Sequence, residues 1–395
     1  MTLLQWCFFF SLFYGIFVCE NIRNEKNRMN ALANPFRFGT VVDGIYFTDR
    51  EKEIKQIGSY LRGANHLIII SPRRFGKTSL IKKILGETGS RYIYLDLQLV
   101  VSEEDFASQL LKRIYRIFPF QKLRGKIRSF RIIPSVMIHP VTGETEISFK
   151  PGSKDLTPLE DVLQLIEKLG TEKDRIKVVL DEFQEIFRIN PGLDRILRSI
   201  MQNHKNINYI FMGSSESMLR EIFEKKNSAF YRFGSLYLLG KIPEVKFRDF
   251  LLERFGPMTD KAEKLSRDVL KITGSHPYYT QQLAFNVWEL LKTTGFQSGM
   301  VETAADGIIR NHDNDYERLW HTFNRTDRLV LTGMALSTLS PLSEEFRGQF
   351  GAGAPSTVFS SLQRLTSRGI LIKENASYQM DDPFFRRWII SRRQQ

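Results

Sequence analysis

Cysteine is nearly absent from this 395-residue sequence: Cys7 and Cys19 are its only two, and both fall in the first twenty residues. The rest of the chain therefore has no disulfide framework and no thiolate metal site. The six histidines show no pair at metal-ligand spacing either. Long Lys/Arg runs are also missing. The net charge of +13 is spread along the chain, which suits either nucleic acid or another polyanion, or simply a dispersed solvated surface. No N-K-x-D guanine motif occurs. What remains is ordinary for a globular chain, with 26% charged and 42% hydrophobic residues and length enough for two or three domains.

The clearest signal is LIIISPRRFGKTSL, Leu67 to Leu80. Four consecutive apolar residues predict a buried parallel strand, and Gly76-Lys77-Thr78-Ser79 predicts a turn running into a helix. In that context Ser71-Pro72-Arg73-Arg74-Phe75-Gly76-Lys77-Thr78-Ser79 reads as a phosphate-binding loop. Its backbone N–H groups and the helix dipole would cradle phosphate, Lys77 would reach the β- and γ-phosphates, and Thr78 would place its hydroxyl on Mg²⁺. Ser71 stands where the usual pattern has its first glycine. The replacement is tolerable if that position needs neither positive φ nor very close backbone approach.

A second apolar strand, IKVVL, ends in Asp181-Glu182, at the strand end where open α/β sheets place ligands. There Asp181 would hold Mg²⁺ through water, and Glu182 would orient and deprotonate an attacking water. The strand NYIFMG leads to Ser214 and Ser215, either of which would sense the γ-phosphate or else cap the next helix. Arg232, just before a fifth strand at Ser235 to Leu239, is either an arginine finger donated in cis or to a neighbouring subunit, or a surface arginine. Further on, Gly274 ends one helix and Pro277 starts another, so His276 is expected at a helix N-terminus facing nucleotide, or in a structural turn.

The opening segment MTLLQWCFFFSLFYGIFVCE has signal-peptide or short-anchor length but no basic n-region and no clean cleavage site. Arg23, Lys26 and Arg28 follow it and would keep the downstream side cytoplasmic if it spans a membrane. Translation from Met29, an inner-membrane anchor and a signal peptide are the three readings. Export fits least, because a nucleotide-binding loop needs cytosolic ATP. Next, a helix is expected to open near Thr48 or Asp49, with Thr48 and Glu51 as a capping box. Val41 and Val42 either line an adenine pocket or pack on the sheet edge. Residues 130–150 read as an inserted β-hairpin around Pro140 to Gly143, and Thr157 as the cap of the following helix.

From about Glu244 to Trp320 the pattern is helical. The last seventy residues read as three helices, the third capped by Ser356, followed by two short strands around Glu374 to Ser377, which is a winged-helix pattern. Gln363, Arg364, Ser367 and Arg368 on the third helix would face a DNA groove, or the wing would dock a protein.

Taken in order, SPRRFGKTSLI, VVLDEFQEI, FMGSSESML, the FYR element and GSHPYYTQQL resemble the prokaryotic AAA+-like, STAND-related P-loop ATPases of the archaeal-ATPase family. The resemblance covers about Asn34 to Trp388. It implies an ASCE-type α/β fold with a five-stranded parallel sheet, a helical lid and a C-terminal winged helix, divided at 29–240, 241–320 and 321–395. It also implies ATP and Mg²⁺ as cofactors. Lys77 and Thr78 match the first Walker motif, Asp181 and Glu182 the second, and Ser214 or Ser215 the first sensor, while His276-Pro277 falls at the lid position that contacts nucleotide. The lid carries no clear sensor-two arginine. The expectation is a cytoplasmic ATPase switch, with ATP-dependent self-association and a protein or DNA partner, or a nucleotide-regulated DNA-binding protein with little hydrolysis.

Overall fold

The computed structural model describes residues 33–118, 123, 125–126, 134–138, 145–149, 158–374 and 377–393. The chain divides into two compact units, one comprising Arg50–Lys241 with Phe359–Asp381, the other Met1–Asp49, Ile242–Val358 and Asp382–Gln395.

The first unit is an α/β layer structure. It begins with α1 (Glu51–Arg62), β1 (Leu67–Ile70), α2 (Lys77–Glu87), β2 (Tyr92–Asp96) and α3 (Glu103–Ile117). The hairpin strands β3 (Pro134–Ile138) and β4 (Thr145–Phe149) pair antiparallel, as expected. Then come α4 (Pro158–Leu169), β5 (Ile176–Asp181), α5 (Ile186–Ile189), α6 (Leu193–Met201), β6 (Ile207–Gly213), α7 (Glu216–Glu224) and β7 (Ser235–Leu238). The order β2-β5-β6-β1-β7 makes one five-stranded sheet, and all four of its pairings are parallel. Every residue of β1, β5 and β6 is buried. Largely apolar strands with every residue buried suit a parallel sheet whose faces are both covered.

Helix α3 starts cleanly because Ser102 Oγ accepts from Asp105 N at 3.1 Å and three acidic residues fill its first turn. An aromatic knot fixes the end of β5. Phe183 lies 4.6 Å from Phe211, 5.6 Å from Phe223 and 5.3 Å from Phe230, centroid to centroid. Such pairs add about 0.5–1.5 kcal/mol each beyond area burial. Phe183→Ala is the single change that would loosen the turn carrying Asp181 and Glu182, at about 3–5 kcal/mol.

The other unit is helical: α8 (Glu244–Phe255), α9 (Ala262–Thr273), α10 (Pro277–Thr294), α11 (Met300–Asn311), α12 (Asp313–His321), α13 (Arg325–Leu336) and α14 (Glu344–Phe350). Helix α15 (Pro355–Ser367) begins in this unit and continues into the first, where β8 (Leu371–Glu374) and β9 (Ser377–Met380) form the antiparallel wing. The chain closes with α16 (Pro383–Arg393). Asp313 accepts from Trp388 Nε1 at 2.7 Å and pairs with Arg392, while Tyr316 donates to Asp382 at 3.0 Å, so α12 and α16 are stitched at two levels.

Several local expectations are corrected. Helix α1 opens at Glu51 after Arg50 in a left-handed conformation (φ 74°) with no side-chain cap. Thr48 is buried and its Oγ1 has no hydrogen-bond partner, so the Thr48–Glu51 capping box is not made. Residues 33–49 are anchored on helices of their own unit. Phe36 is packed by Phe250, Phe255 and Trp288, and Asn34 Nδ2 donates to Glu289 at 2.7 Å. Val41 is 42% exposed. Ser356 lies inside the first turn of α15, which Pro355 opens. Helix α16 was not expected: Asp382 accepts from Phe384 N and Phe385 N ahead of Pro383, an N-cap and N1 proline in what reads as the tail of a strand. The first 32 residues, the Pro140 to Gly143 turn and the Thr157 cap lie outside the described residues. Among the described residues no helix is long and apolar enough to cross a membrane.

Candidate active site

The phosphate loop joins the carboxyl end of β1 to α2. Gly76 takes φ 87° immediately before α2, where glycine costs nothing. Ser71 is not among the residues of positive φ, so the missing first glycine leaves no strain; Arg74, at φ 65°, carries it instead. Ser71 is 1% exposed, and Phe75 is likewise buried beneath the loop. The amine of Lys77 lies 3.0 Å from Ser71 O and 3.3 Å from Pro72 O, folded back over its own loop. Burial pulls its pKa below the usual lysine range, and Arg73 adds to this, while Glu182 and Asp181 oppose it. Lys77, Thr78 and Ser79 form the first turn of α2, whose N–H groups have no partner within the helix.

Opposite the loop stand Asp181 and Glu182. Thr78 Oγ1 donates to Asp181 Oδ2 at 3.3 Å, and Glu182 N donates to Asp181 Oδ1 at 3.0 Å. Burial raises the Asp181 pKa, against the hydrogen bond from Tyr94 and the charge of Lys77. Glu182 sits at φ 50°, a left-handed turn that folds its carboxylate toward β6. Its Oε2 accepts from Ser214 N at 3.1 Å, Ser214 Oγ at 2.9 Å and Gln184 Nε2 at 2.6 Å. Burial alone would raise the Glu182 pKa, but the Gln184 bond, Lys77 and the two Ser214 bonds outweigh it and hold the carboxyl below its usual range.

Arg73 Nε reaches Ser214 Oγ at 3.4 Å, closing the circuit from loop to strand end. Ser215 occupies the N-cap of α7 with no side-chain cap bond. Arg232 is exposed, at φ 54°, over the ring of its neighbour Tyr231. His276 and Pro277 belong to the helical unit, where His276 Nδ1 caps α10 by accepting from Tyr278 N at 3.2 Å and Pro277 is its first residue.

Three participants escape a sequence reading. Gln184 is buried and reaches Glu182 only because Gly213 has no side chain: a Cβ there would sit 2.4 Å from Gln184 Oε1. Tyr94 donates to Asp181 Oδ2 and lies 3.4 Å from Thr78 Oγ1. Arg50, 3% exposed, donates to Phe75 O at 3.2 Å, Gly240 O at 2.8 Å and Lys241 O at 3.4 Å. The available signals were a glutamine two residues after Glu182 and a tyrosine on the same face of β2 as Asp96; neither is diagnostic without the partner strand.

Among the described residues no cluster of His, Cys, Asp and Glu could hold a metal by itself. Thr78 and Asp181 do offer an oxygen-only pair of the kind Mg²⁺ accepts when phosphate and water complete its shell.

A model described as an ATPase domain predominantly from Archaea matches residues 47–283, and one for a probable winged helix domain matches residues 314–391. No curated protein matches the sequence. Among solved structures, the Walker-type ATPase of Pyrococcus abyssi is similar at 18% identity, TM-score 0.63, over 92% of this chain and 99% of that one. The Aeropyrum pernix ORC2 protein, solved in ADPNP–ADP complexes, is similar at 15% identity, TM-score 0.53, over 91% and 100%. At these identities the likeness is one of fold. The ATPase-domain match spans more than half of the sequence and falls on the loop, the carboxylate pair and the strand end just described: the chain belongs to the archaeal family of P-loop ATPase domains, joined to a C-terminal winged helix.

Proposed function

We propose that the protein is a Mg²⁺-dependent ATPase on the AAA+-like, STAND-related branch, using ATP binding and slow hydrolysis as a conformational switch. The helical lid (241–320) and winged helix (321–395) are its output, and the ATPase domain (29–240) its input. The observation that carries this reading is the hold of Ser214 on Glu182. A carboxylate whose pKa lies below the usual range is ionised and able to take a proton. Its Oε2 is meanwhile engaged by Ser214 at the end of β6. When γ-phosphate draws Ser214 away, Glu182 is released to its work, so substrate occupancy itself arms the base.

Lys77 would turn from the Ser71 and Pro72 carbonyls to the β- and γ-phosphates, and the first turn of α2 would hold phosphate oxygens. Water then attacks the γ-phosphorus, the bond to ADP breaks, and the water's proton passes to Glu182 and on to solvent. Thr78 and Asp181 would hold the Mg²⁺, which supplies charge neutralisation on the phosphates. Arg232 is our candidate for completing the site in an ATP-dependent homo-oligomer, and His276-Pro277 for lid contact with nucleotide. We place the ATPase in the cytoplasm.

Nucleotide binding and turnover by purified protein test the reading. Lys77→Ala is expected to abolish binding, and Glu182→Gln to retain ATP while turnover stalls. Undiminished hydrolysis by Glu182→Gln would refute the mechanism.

A second reading, a nucleotide-regulated DNA-binding protein, is favoured by one observation: Gln363, Arg364, Ser367 and Arg368 are all exposed, on a chain of charge +13. Duplex affinity should then fall steeply with salt, and the salt slope should flatten by about one per arginine on replacing Arg364 and Arg368. No binding at low salt would leave the wing as a protein-docking element.

A further inference from the structure

The ATPase reading gives Tyr94 no role, yet its hydroxyl sits among the groups that would hold the metal. Strands β2 and β5 run parallel, with Tyr94 opposite Val179 and Asp96 opposite Asp181. Tyr94 is thus two residues short of Asp181, about 6.7 Å along the sheet. A phenol spans that distance and a serine or threonine does not.

The phenol donates to Asp181 Oδ2, and its oxygen lies 3.4 Å from Thr78 Oγ1. Thr78 Oγ1 lies 3.3 Å from the same carboxylate oxygen, so three oxygens close a triangle at the end of β5. The other Asp181 oxygen is engaged by Glu182 N at 3.0 Å. The base of the residue is fixed as well: its carbonyl accepts from Arg113 Nε at 2.6 Å, and the Lys82 ammonium lies 5.1 Å from the ring centroid.

Mg²⁺ surrenders its water reluctantly and keeps several molecules in sites of this kind, and those waters need acceptors. A phenol whose hydrogen is committed to a carboxylate keeps its oxygen lone pairs as acceptors. We propose that Tyr94 is a positioning residue for the metal, its O–H fixing Asp181 and its oxygen accepting from a water of the Mg²⁺ shell. The proposal rests on the ATPase reading. Groups that orient metal ligands from behind are commonly worth 10- to 100-fold in metal affinity.

The test is a titration of full-length protein with a fluorescent ADP analogue, first in EDTA and then at rising Mg²⁺. Tyr94→Phe keeps the ring and removes only the hydroxyl. Its affinity in EDTA should match that of the unsubstituted protein, while the Mg²⁺ concentration giving half-maximal tightening should rise at least about tenfold. Tyr94→Gln, which restores a donor and an acceptor, should fall between the two and serves if Tyr94→Phe does not fold. An unchanged Mg²⁺ midpoint in Tyr94→Phe overturns the proposal and leaves the ATPase reading standing. An equal loss in EDTA and in Mg²⁺ also overturns it, because a structural role for the hydroxyl would act on both. Unsubstituted protein that binds no nucleotide under either condition overturns the proposal and the ATPase reading together.

Discussion

Replacing Gln184 by Leu separates the positioning of Glu182 from the stability of the fold. Gln184 Nε2 supplies one of three hydrogen bonds to Glu182 Oε2, at 2.6 Å, and Ser214 supplies the other two. A hydrogen bond to a charged acceptor is worth about 1.5–3 kcal/mol, and the lower figure applies to the single bond from Gln184 that stays once Ser214 has turned to phosphate. About 1.5 kcal/mol is roughly a tenfold effect. Against this, Gln184 Oε1 is buried with no partner, and Leu removes that unsatisfied acceptor. Stability should therefore change little while catalysis suffers.

Phosphate release at saturating Mg·ATP should slow about tenfold, and the acid limb of the pH profile should move upward, since a bond that lowers the Glu182 pKa is gone. The sign for stability is fixed by the same shift. Because Glu182 titrates below its ordinary 4.5 in the folded protein, its contribution is complete above 4.5 and is lost as pH falls through the lower folded value. In Gln184→Leu the folded value lies closer to 4.5, so the loss is smaller and is complete nearer 4.5. Unchanged turnover together with an unmoved acid limb would refute the reasoning, and so would a fall in melting temperature that matched the fall in activity.

Gly213→Ala should reproduce part of this effect from the other side and at a cost in stability, because the new Cβ would meet Gln184 Oε1 at 2.4 Å and Leu219 Cδ1 at 2.8 Å. Urea unfolding should show a loss of about 1–3 kcal/mol. His66 titrates at about 4, lowered by burial first and by the charges of Arg198 and His204. Between pH 6.5 and 4 the unfolded chain binds the proton and the folded chain does not, so stability should fall on acidification, on the order of 2 kcal/mol by pH 4.5 in urea titrations. His66→Asn, which can still accept from Tyr209 N, should flatten that limb.

Fold and site were legible in the sequence to the extent that they are local. The apolar run of β1, the Gly76-Lys77-Thr78 turn and the Asp181-Glu182 strand end are contiguous stretches whose chemistry shows in one window. The parallel order of the strands follows from the helices between them. Gln184, Tyr94 and Arg50 were opaque for the opposite reason: Tyr94 meets Asp181 across 87 residues and Arg50 meets Gly240 across 190, while Gln184 is seated against Gly213 of another strand, and only folding brings these near. Helix α16 was legible in principle, since Asp382-Pro383 is an N-cap followed by an N1 proline, but its apolar run FF-x-x-WII also fits a closing strand. Arg74 was opaque too: the non-glycine left-handed residue of the loop lies three places after the position where glycine is missing, and no residue type marks it.

Arg50 links the two ends of the mononucleotide half-site like a yoke. Its guanidinium is a rigid plane of five donors, and here one plane holds the carbonyl of Phe75 within the phosphate loop together with those of Gly240 and Lys241, where the chain leaves the sheet. A shift of the loop cannot be taken up by side-chain slack, because the plane is buried and turning it away from one carbonyl strands a donor beside another. The loop and the exit of β7 must therefore move as one body or break a costly set of bonds. Lys241 itself reaches onward, its ammonium lying 3.1 Å from Glu374 and 3.2 Å from Gln379 on the two strands of the wing. Phosphate loop, sheet exit and wing are thus joined in sequence by the side chains of one arginine and one lysine.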